Sequence, residues 1–197
     1  MAGVLEQIAT VDGEVAVPNF QIGDLMGGTQ AAVSGILAAL LSAQRTGQGR
    51  FVDISMTHEV WRHHVLARIT LQAGGRTPAP GRDLLSGGAP CYGAYRCADG
   101  RFMAVGALEM KFWRALCEAL GRPAWAERHW SRGLLPGSAE SMALRAEVAA
   151  VFATQPMAHW AVLFEGVDAC VTPVLRLDEL PAHPVHAQGQ PVPAPVR

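Results

Sequence analysis

Apolar residues recur along this chain in two different rhythms, and the change between them falls near residue 82. Before it the pattern is helical. Residues 1–18 show weak helical periodicity and a Val11-Asp12-Gly13 turn, and Asn19-Phe20-Gln21-Ile22 then leads as an extended segment into a helix that runs to about Arg45. The stretch 29–43 is apolar nearly all round, which predicts a helix inside a core rather than on a surface. Gly47-Gln48-Gly49 ends it, and residues 50–55 alternate as a short strand. Residues 56–72 then carry His58, Trp61, His64, Val65 and Arg68 at the spacing of a single helix. Residues 74–82 are rich in Gly and Pro and read as a connector.

Beyond the connector the period shortens to two. A glycine loop (Ser86-Gly87-Gly88-Ala89-Pro90) precedes a strand over 92–97, an Ala98-Asp99-Gly100 turn, a second strand over 102–106, and a helix opening near Glu109. Asp-Gly supplies the positive φ that a short turn between twisted strands requires, so the hairpin is the firmest local reading. Amphipathic helices follow over 110–120 and 138–154, and a third starts after Pro156. The run 168–175 reads as a last strand, with Pro173 placing it at a sheet edge. From residue 181 the chain is proline-rich and reads as an extended tail.

Composition narrows the functions this pattern can serve. Sixteen basic against seventeen acidic side chains give a formal net charge of −1, which provides no field for a nucleic acid. Four cysteines, Cys91, Cys97, Cys117 and Cys170, have neither metal-site spacing nor the density of a disulfide scaffold. They are expected as reduced, buried thiols in a cytoplasmic protein. No basic region followed by an apolar core marks a signal peptide. The longest apolar run, 31–41, is interrupted by Ser34 and Gly35 and is shorter than the ~20 residues a membrane span needs, so no membrane contact is expected. His63 and His64 are adjacent and point to different faces of a helix, with no carboxylate at i+4, so no metal is expected there.

Asp24 sits where the extended segment meets the long helix, a place where a carboxylate accepts first-turn N–H groups and is favoured by the helix dipole. Its plain structural role is an N-cap. Gly27 and Gly28, one turn in, cost helix stability by roughly 1 kcal/mol each relative to alanine. A close approach by a ligand or by another backbone accounts for that cost, and packing is the alternative.

Three blocks carry a resemblance. They are Asn19–Gly28 followed by Thr46-Gly47-Gln48-Gly49-Arg50-Phe51-Val52-Asp53, the GGAP loop with Cys97-Ala98-Asp99-Gly100-Arg101-Phe102-Met103-Ala104-Val105-Gly106-Ala107-Leu108-Glu109, and Asp168-Ala169-Cys170-Val171-Thr172-Pro173-Val174-Leu175. In this order they resemble the family III CoA-transferases (the CaiB/BaiF family), and most of all its α-methylacyl-CoA racemase branch. The resemblance implies an α/β fold with a partial large, Rossmann-like domain and an α/β small domain. Residues 1–55 would be the end of the CoA-binding large domain, 56–92 a helix and linker, 93–180 the small domain, and 181–197 the tail.

The same resemblance assigns roles. In the racemases an aspartate matching Asp24 and an upstream histidine exchange the α-proton of an acyl-CoA, and a glutamate matching Glu109 orients the histidine. No histidine precedes His58 here, and the start of the chain matches a point in mid-domain, so the sequence reads as truncated at its N-terminus. In the transferases the matching aspartate is instead a nucleophile passing through an aspartyl-CoA thioester, under a glycine loop for which Gly87 and Gly88 are the candidates. Gly27 and Gly28 are candidates for CoA contact. The implied substrate is an acyl-CoA thioester with no other cofactor, and the implied assembly is an interlocked homodimer, with a separate polypeptide for the N-terminal half as a further partner. A chain lacking that half is expected to be inactive alone and to expose the apolar flanks of the 29–43 helix. A non-catalytic interaction subunit is the alternative of another class. Phe20-Gln21 before the Gly-Asp pair, and Ser86 where the racemases have an aspartate, depart from the pattern and bear on the choice of substrate.

Overall fold

The computed structural model describes residues 2–8 and 14–184, so the Val11-Asp12-Gly13 turn and nearly all of the proline-rich tail lie outside the described residues. The chain forms two compact units, 1–86 and 87–197. The division falls inside the stretch that the sequence groups as helix and linker.

The first unit is helical. A short helix α1 (Val4–Gln7) is followed by a π-type helical segment, Gly23–Gln30, continuous with α2 (Ala31–Thr46). Gly47, in the left-handed region at φ 72°, closes α2, and its N–H donates to Ala43. Next come α3 (Met56–His63), capped by Ser55, whose hydroxyl accepts from the His58 N–H, and α4 (Val65–Gly74).

Four expectations change here. Residues 56–72 are two helices, broken at His64 (φ −79°, ψ 52°). The His63 ring donates through Nδ1 to the Glu59 carbonyl at 2.7 Å, and the His64 N–H turns back to Trp61 at 3.2 Å, so the last turn of α3 tightens and stops. Residues 50–55 form no strand among the described residues. They run as an unpaired segment across α2 at Gly35, where a β-carbon would stand 2.9 Å from Val52 Cγ1. Helix α2 contains no buried residue, and Leu37 and Leu41 are 61% and 57% exposed, against the expected core position. Finally, the continuous helix Gly23–Thr46 has 24 residues and is long and apolar enough to cross a membrane by length and composition, which the interrupted run 31–41 did not suggest.

The second unit follows the sequence closely. Strands β1 (Tyr92–Arg96), β2 (Phe102–Gly106) and β3 (Val171–Pro173) form an antiparallel sheet in the order β1-β2-β3. Gly100 sits at φ 78° in the hairpin turn. The Asp99 carboxylate accepts from the Arg101 N–H at 3.1 Å within the turn, and from the Met157 N–H at 3.2 Å. Pro173 opposes Met103 on the edge strand β3, where its missing N–H leaves no ladder bond unmade. Helices α5 (Met110–Ala119), α6 (Ala139–Phe152) and α7 (Met157–Phe164) complete the unit.

The second unit's core is aromatic. Tyr95 stacks on Phe152 at 5.2 Å, and Phe152 meets Trp160 edge-on at 5.1 Å. Each polar tip is satisfied: Tyr95 Oη donates to Pro90 at 2.5 Å, Trp113 Nε1 to Trp125 at 3.0 Å, and Trp160 Nε1 to Phe152 at 2.9 Å. Cys91, Cys97 and Cys117 are buried free thiols, and burial pushes Cys91 and Cys117 up to about 12. Cys170 departs from the expectation: it is exposed, with its backbone at φ 51° as the chain turns into β3.

Candidate functional site

Asp24 is the second residue of the segment Gly23–Gln30 rather than its cap, because Ile22 before it is already helical and offers no side-chain cap. The Leu25 N–H is taken by the Gln21 carbonyl. The Asp24 carboxylate is exposed and makes no hydrogen bond or ion pair among the described residues. It borders an open cleft of about 370 Å³ whose walls are mainly apolar, with Val4 and Leu5 from α1 and Met56 and Val60 from α3. Two further polar side chains line this cleft, Glu6 and Thr57. Sequence reasoning did not select either; Glu6 stood in a weakly periodic segment, and Thr57 looked like one more helical residue.

The π-type winding also bears on function. Such segments are uncommon and concentrate at functional sites, where the wider turn re-aims side chains. Here it occurs in the turns that hold Asp24, Gly27 and Gly28. Gly27 and Gly28 face α3 and do not line the Asp24 cleft. A β-carbon on Gly27 would stand 2.7 Å from Val60 Cγ2 and 2.9 Å from the Met56 carbonyl oxygen, and one on Gly28 would stand 3.3 Å from the Met56 side chain. The missing side chain of Gly27 lets α3 approach the Gly23–Gln30 segment, whereas Gly28 meets only the flexible Met56 side chain. The segment in turn fixes where Asp24 emerges.

Glu109 belongs to the second unit. It is the N-cap residue of α5, exposed, with its carbonyl accepting from Phe112 and Trp113 and its side chain free of any capping bond. Its charge is felt at Cys170, where partial desolvation of this otherwise exposed thiol, then Asp168, then Glu109 hold it above its ordinary value.

Gly87 and Gly88 are both buried, and Gly87 takes φ 111°, which only glycine adopts readily. The Gly88 carbonyl accepts from Ser141 Oγ at 2.7 Å and from the Gly137 N–H at 2.8 Å. The glycine loop is therefore anchored to the start of α6. Both hydrogen bonds fall on one carbonyl, and this anchoring holds the loop in place within its own unit.

With these placements in hand, the comparisons with known proteins add the following. CoA-transferase family III matches residues 1–192. Human α-methylacyl-CoA racemase is 34% identical over 191 residues, covering 93% of this chain and 47% of the human protein. Succinyl-CoA:mesaconate CoA-transferase of Haloarcula marismortui is 32% identical over 149 residues, covering 76% of this chain and 36% of that protein. Among solved structures, a hypothetical protein from Mycobacterium tuberculosis superposes with a TM-score of 0.69 at 22% identity, covering 96% of this chain and 49% of that one. A CaiB/BaiF family protein from Brucella suis gives 0.65 at 20% identity, covering 95% and 49%. The chain thus spans about half the length of the relatives it matches, and shares their fold over nearly all of its own. From the match over residues 1–192, the chain belongs to CoA-transferase family III.

Proposed function

We propose that this chain carries the Asp24 side of an active site that acts on acyl-CoA thioesters, with α-proton transfer of the racemase kind as its reaction. The observation that carries the reading is Asp24 itself. It is a carboxylate without a protein partner, on a helix held in place by α3, facing an apolar-walled cleft in a chain 34% identical to human α-methylacyl-CoA racemase. Removing a weakly acidic proton next to a thioester carbonyl calls for a positioned base in such a place. The opposite face of the carbon needs a second acid/base group, which the resemblance assigns to a histidine upstream of the matched region. Glu109 would orient that histidine. The substrate is a coenzyme A thioester, and the working form is a cytoplasmic homodimer that includes the other half of the family fold, in the same chain or as a separate polypeptide.

A second reading has its own support, since relatives of this chain include proteins named as CoA-transferases. An unpaired aspartate serves equally as the nucleophile that takes CoA from one acid to another. The two readings separate at Glu109. With the chain assayed alone and supplemented with the upstream half of a related enzyme, Asp24→Asn lowers either activity by at least the ~10²-fold typical of losing a general base. Glu109→Gln depresses exchange of the α-deuterium of a 2-methylacyl-CoA and leaves CoA transfer intact. Undiminished exchange in Glu109→Gln counts against the racemase reading, and undiminished activity of both kinds in Asp24→Asn counts against the site.

A further inference from the structure

Glu109 stands in the corner that carries the chain from β2 into α5, residues 106–109, and backbone bonds hold this corner at both ends. The Gly106 N–H donates to the Cys170 carbonyl at 2.8 Å, the Leu108 N–H turns back to the Gly106 carbonyl at 2.8 Å, and the Glu109 carbonyl accepts from Phe112 and Trp113 at 3.0 and 3.1 Å. One side chain reaches the corner as well. The Trp130 indole donates through Nε1 to the Leu108 carbonyl at 2.8 Å, and among the described residues this is the one side-chain hydrogen bond to residues 106–109. Trp130 opens the short 3₁₀ turn Trp130–Arg132, which starts at His129 and ends at Gly133 with φ 97°. Its indole is backed by the buried His129 ring, 5.6 Å away between centroids, and that ring is itself tied through Nδ1 to Ser131.

We propose that Trp130 is a positioning residue for Glu109 in α-proton transfer. The inference rests on the racemase reading above and deepens it. The Leu108 carbonyl and the Glu109 N–H belong to one planar peptide unit, so a donor that pins the oxygen also fixes the plane from which the Glu109 side chain projects. No bond of its own aims that carboxylate, because the Glu109 side chain caps nothing and forms no ion pair among the described residues. Its direction is inherited from the backbone. A carboxylate that orients a histidine must hold the ring's direction and tautomer, and a misplacement of about 1 Å in such an arrangement can cost ~10²-fold in rate. Trp130 is 38% exposed, so water can serve the Leu108 carbonyl when the indole is lost. Water satisfies the acceptor without fixing the plane, which separates the aim of Glu109 from the stability of the unit.

The test uses Trp130→Phe, which keeps an aromatic ring on the His129 face and removes the donor. In the full chain, hydrogen exchange followed by NMR should show the Phe112 and Trp113 amides, which donate to the Glu109 carbonyl, exchanging about two- to tenfold faster, the factor that one net hydrogen bond is worth. The Trp113 indole, bonded to Trp125 at 3.0 Å elsewhere in the unit, should keep its rate. With the chain supplemented by the upstream half of a related enzyme, exchange of the α-deuterium of a 2-methylacyl-CoA should fall about tenfold in kcat with KM unchanged, and CoA transfer should hold. The acidic limb of the exchange rate should move to lower pH, because a carboxylate that no longer faces the histidine stops favouring its charged form. Trp130→Phe added to Glu109→Gln should cost nothing further, since both changes remove one function.

Unchanged Phe112 and Trp113 amides overturn the proposal, because the corner is then fixed without the indole. Faster exchange shared by the Trp113 indole also overturns it, since Trp130 would then support the unit as a whole. So does a loss of α-exchange and CoA transfer together, or a double variant slower than Glu109→Gln. The amide measurement needs no substrate, which separates this proposal from the reading it rests on. If the corner loosens in Trp130→Phe while the supplemented parent shows no α-deuterium exchange, the hold on Glu109 stands and the racemase reading fails.

Discussion

In the second unit Trp113, Tyr95, Phe152, Met103 and Leu116 are fully enclosed, whereas in the first unit Val60 and Ala67 are the buried hydrophobic residues among those described. Both units are rich in apolar side chains, so the difference is not one of composition. In the second unit the aromatic residues converge from β1, α5, α6 and α7 onto one interior. In the first, the apolar positions of α2 surround the helix on every side, and a lone helix with that pattern has more greasy surface than its neighbours cover. Leu37, Leu40 and Leu41 are accordingly exposed. An apolar patch of this kind marks a surface that associates. The second unit thus encloses its large apolar side chains, whereas the unit with Asp24 leaves most of its own exposed.

The sharpest way to break this comparison is to remove one large side chain from each unit. Phe152→Ala empties a site where three aromatic contacts meet and should cost about 3–5 kcal/mol of stability. Leu37→Ala, on the exposed face of α2, should change stability by no more than about 0.5 kcal/mol. Urea denaturation measures both, with Trp61 as the sole tryptophan of the first unit and Trp113, Trp125, Trp130 and Trp160 reporting on the second. A Leu37→Ala loss as large as that of Phe152→Ala would show that α2 is covered in solution, and the contrast would fall.

How much of this was legible in the sequence follows the same divide. The hairpin and the edge position of Pro173 depend on residues close in sequence or on one missing donor, and they were readable. The placement of α2 depends on what lies against it. A fully apolar pattern says that a helix wants to be covered and cannot say by what. The break at His64 is accompanied by a hydrogen bond from the His63 ring to the Glu59 carbonyl, a side-chain choice that periodicity does not encode. At the site, Asp24 was readable through the family resemblance. The glycines after it were readable only as an alternative between ligand and packing, and the structure adds their close approach to Val60 and Met56. Phe20 and Gln21 were visible as a departure, and the structure adds that both line a pocket next to the Asp24 cleft.

A second pair of substitutions sharpens the comparison within the first unit. Gly27→Ala drives a methyl to 2.7 Å from Val60 and 2.9 Å from the Met56 backbone, and overpacking of this kind typically costs about 1–3 kcal/mol. Gly23→Ala, four residues earlier, meets nothing within 4 Å, and in an ordinary helical backbone it should stabilise by about 0.4–1 kcal/mol through the unfolded chain. Opposite signs in the Trp61 transition are expected. Equal, small effects would mean that α3 does not pack against Gly23–Gln30 and that nothing fixes the exit of Asp24.

The smallest effect belongs to the second unit and comes from the one buried imidazole among its described residues. His129 is 1% exposed, with its ring centroid 6.3 Å from Trp113 and 5.6 Å from Trp130. Its Nδ1 accepts the Ser131 N–H at 3.3 Å and lies 2.8 Å from Ser131 Oγ, so the folded state holds the neutral ring. Burial holds the imidazolium below its ordinary range, with a smaller lowering from the Arg132 charge, against the opposing effect of the Leu108 backbone. The folded pKa is thus lower than the unfolded one, and the unfolded chain takes up the proton first as pH falls. The stabilisation is fully present above about pH 6.5, the unfolded value, and is lost as pH falls from there through the lower folded value. Between pH 7.5 and pH 5.5 the urea midpoint reported by the second unit's tryptophans should move down. The shift should be smaller in His129→Gln, whose amide cannot take up a proton. An equal downward shift in the variant and the parent would assign the pH dependence elsewhere and remove His129 from the account.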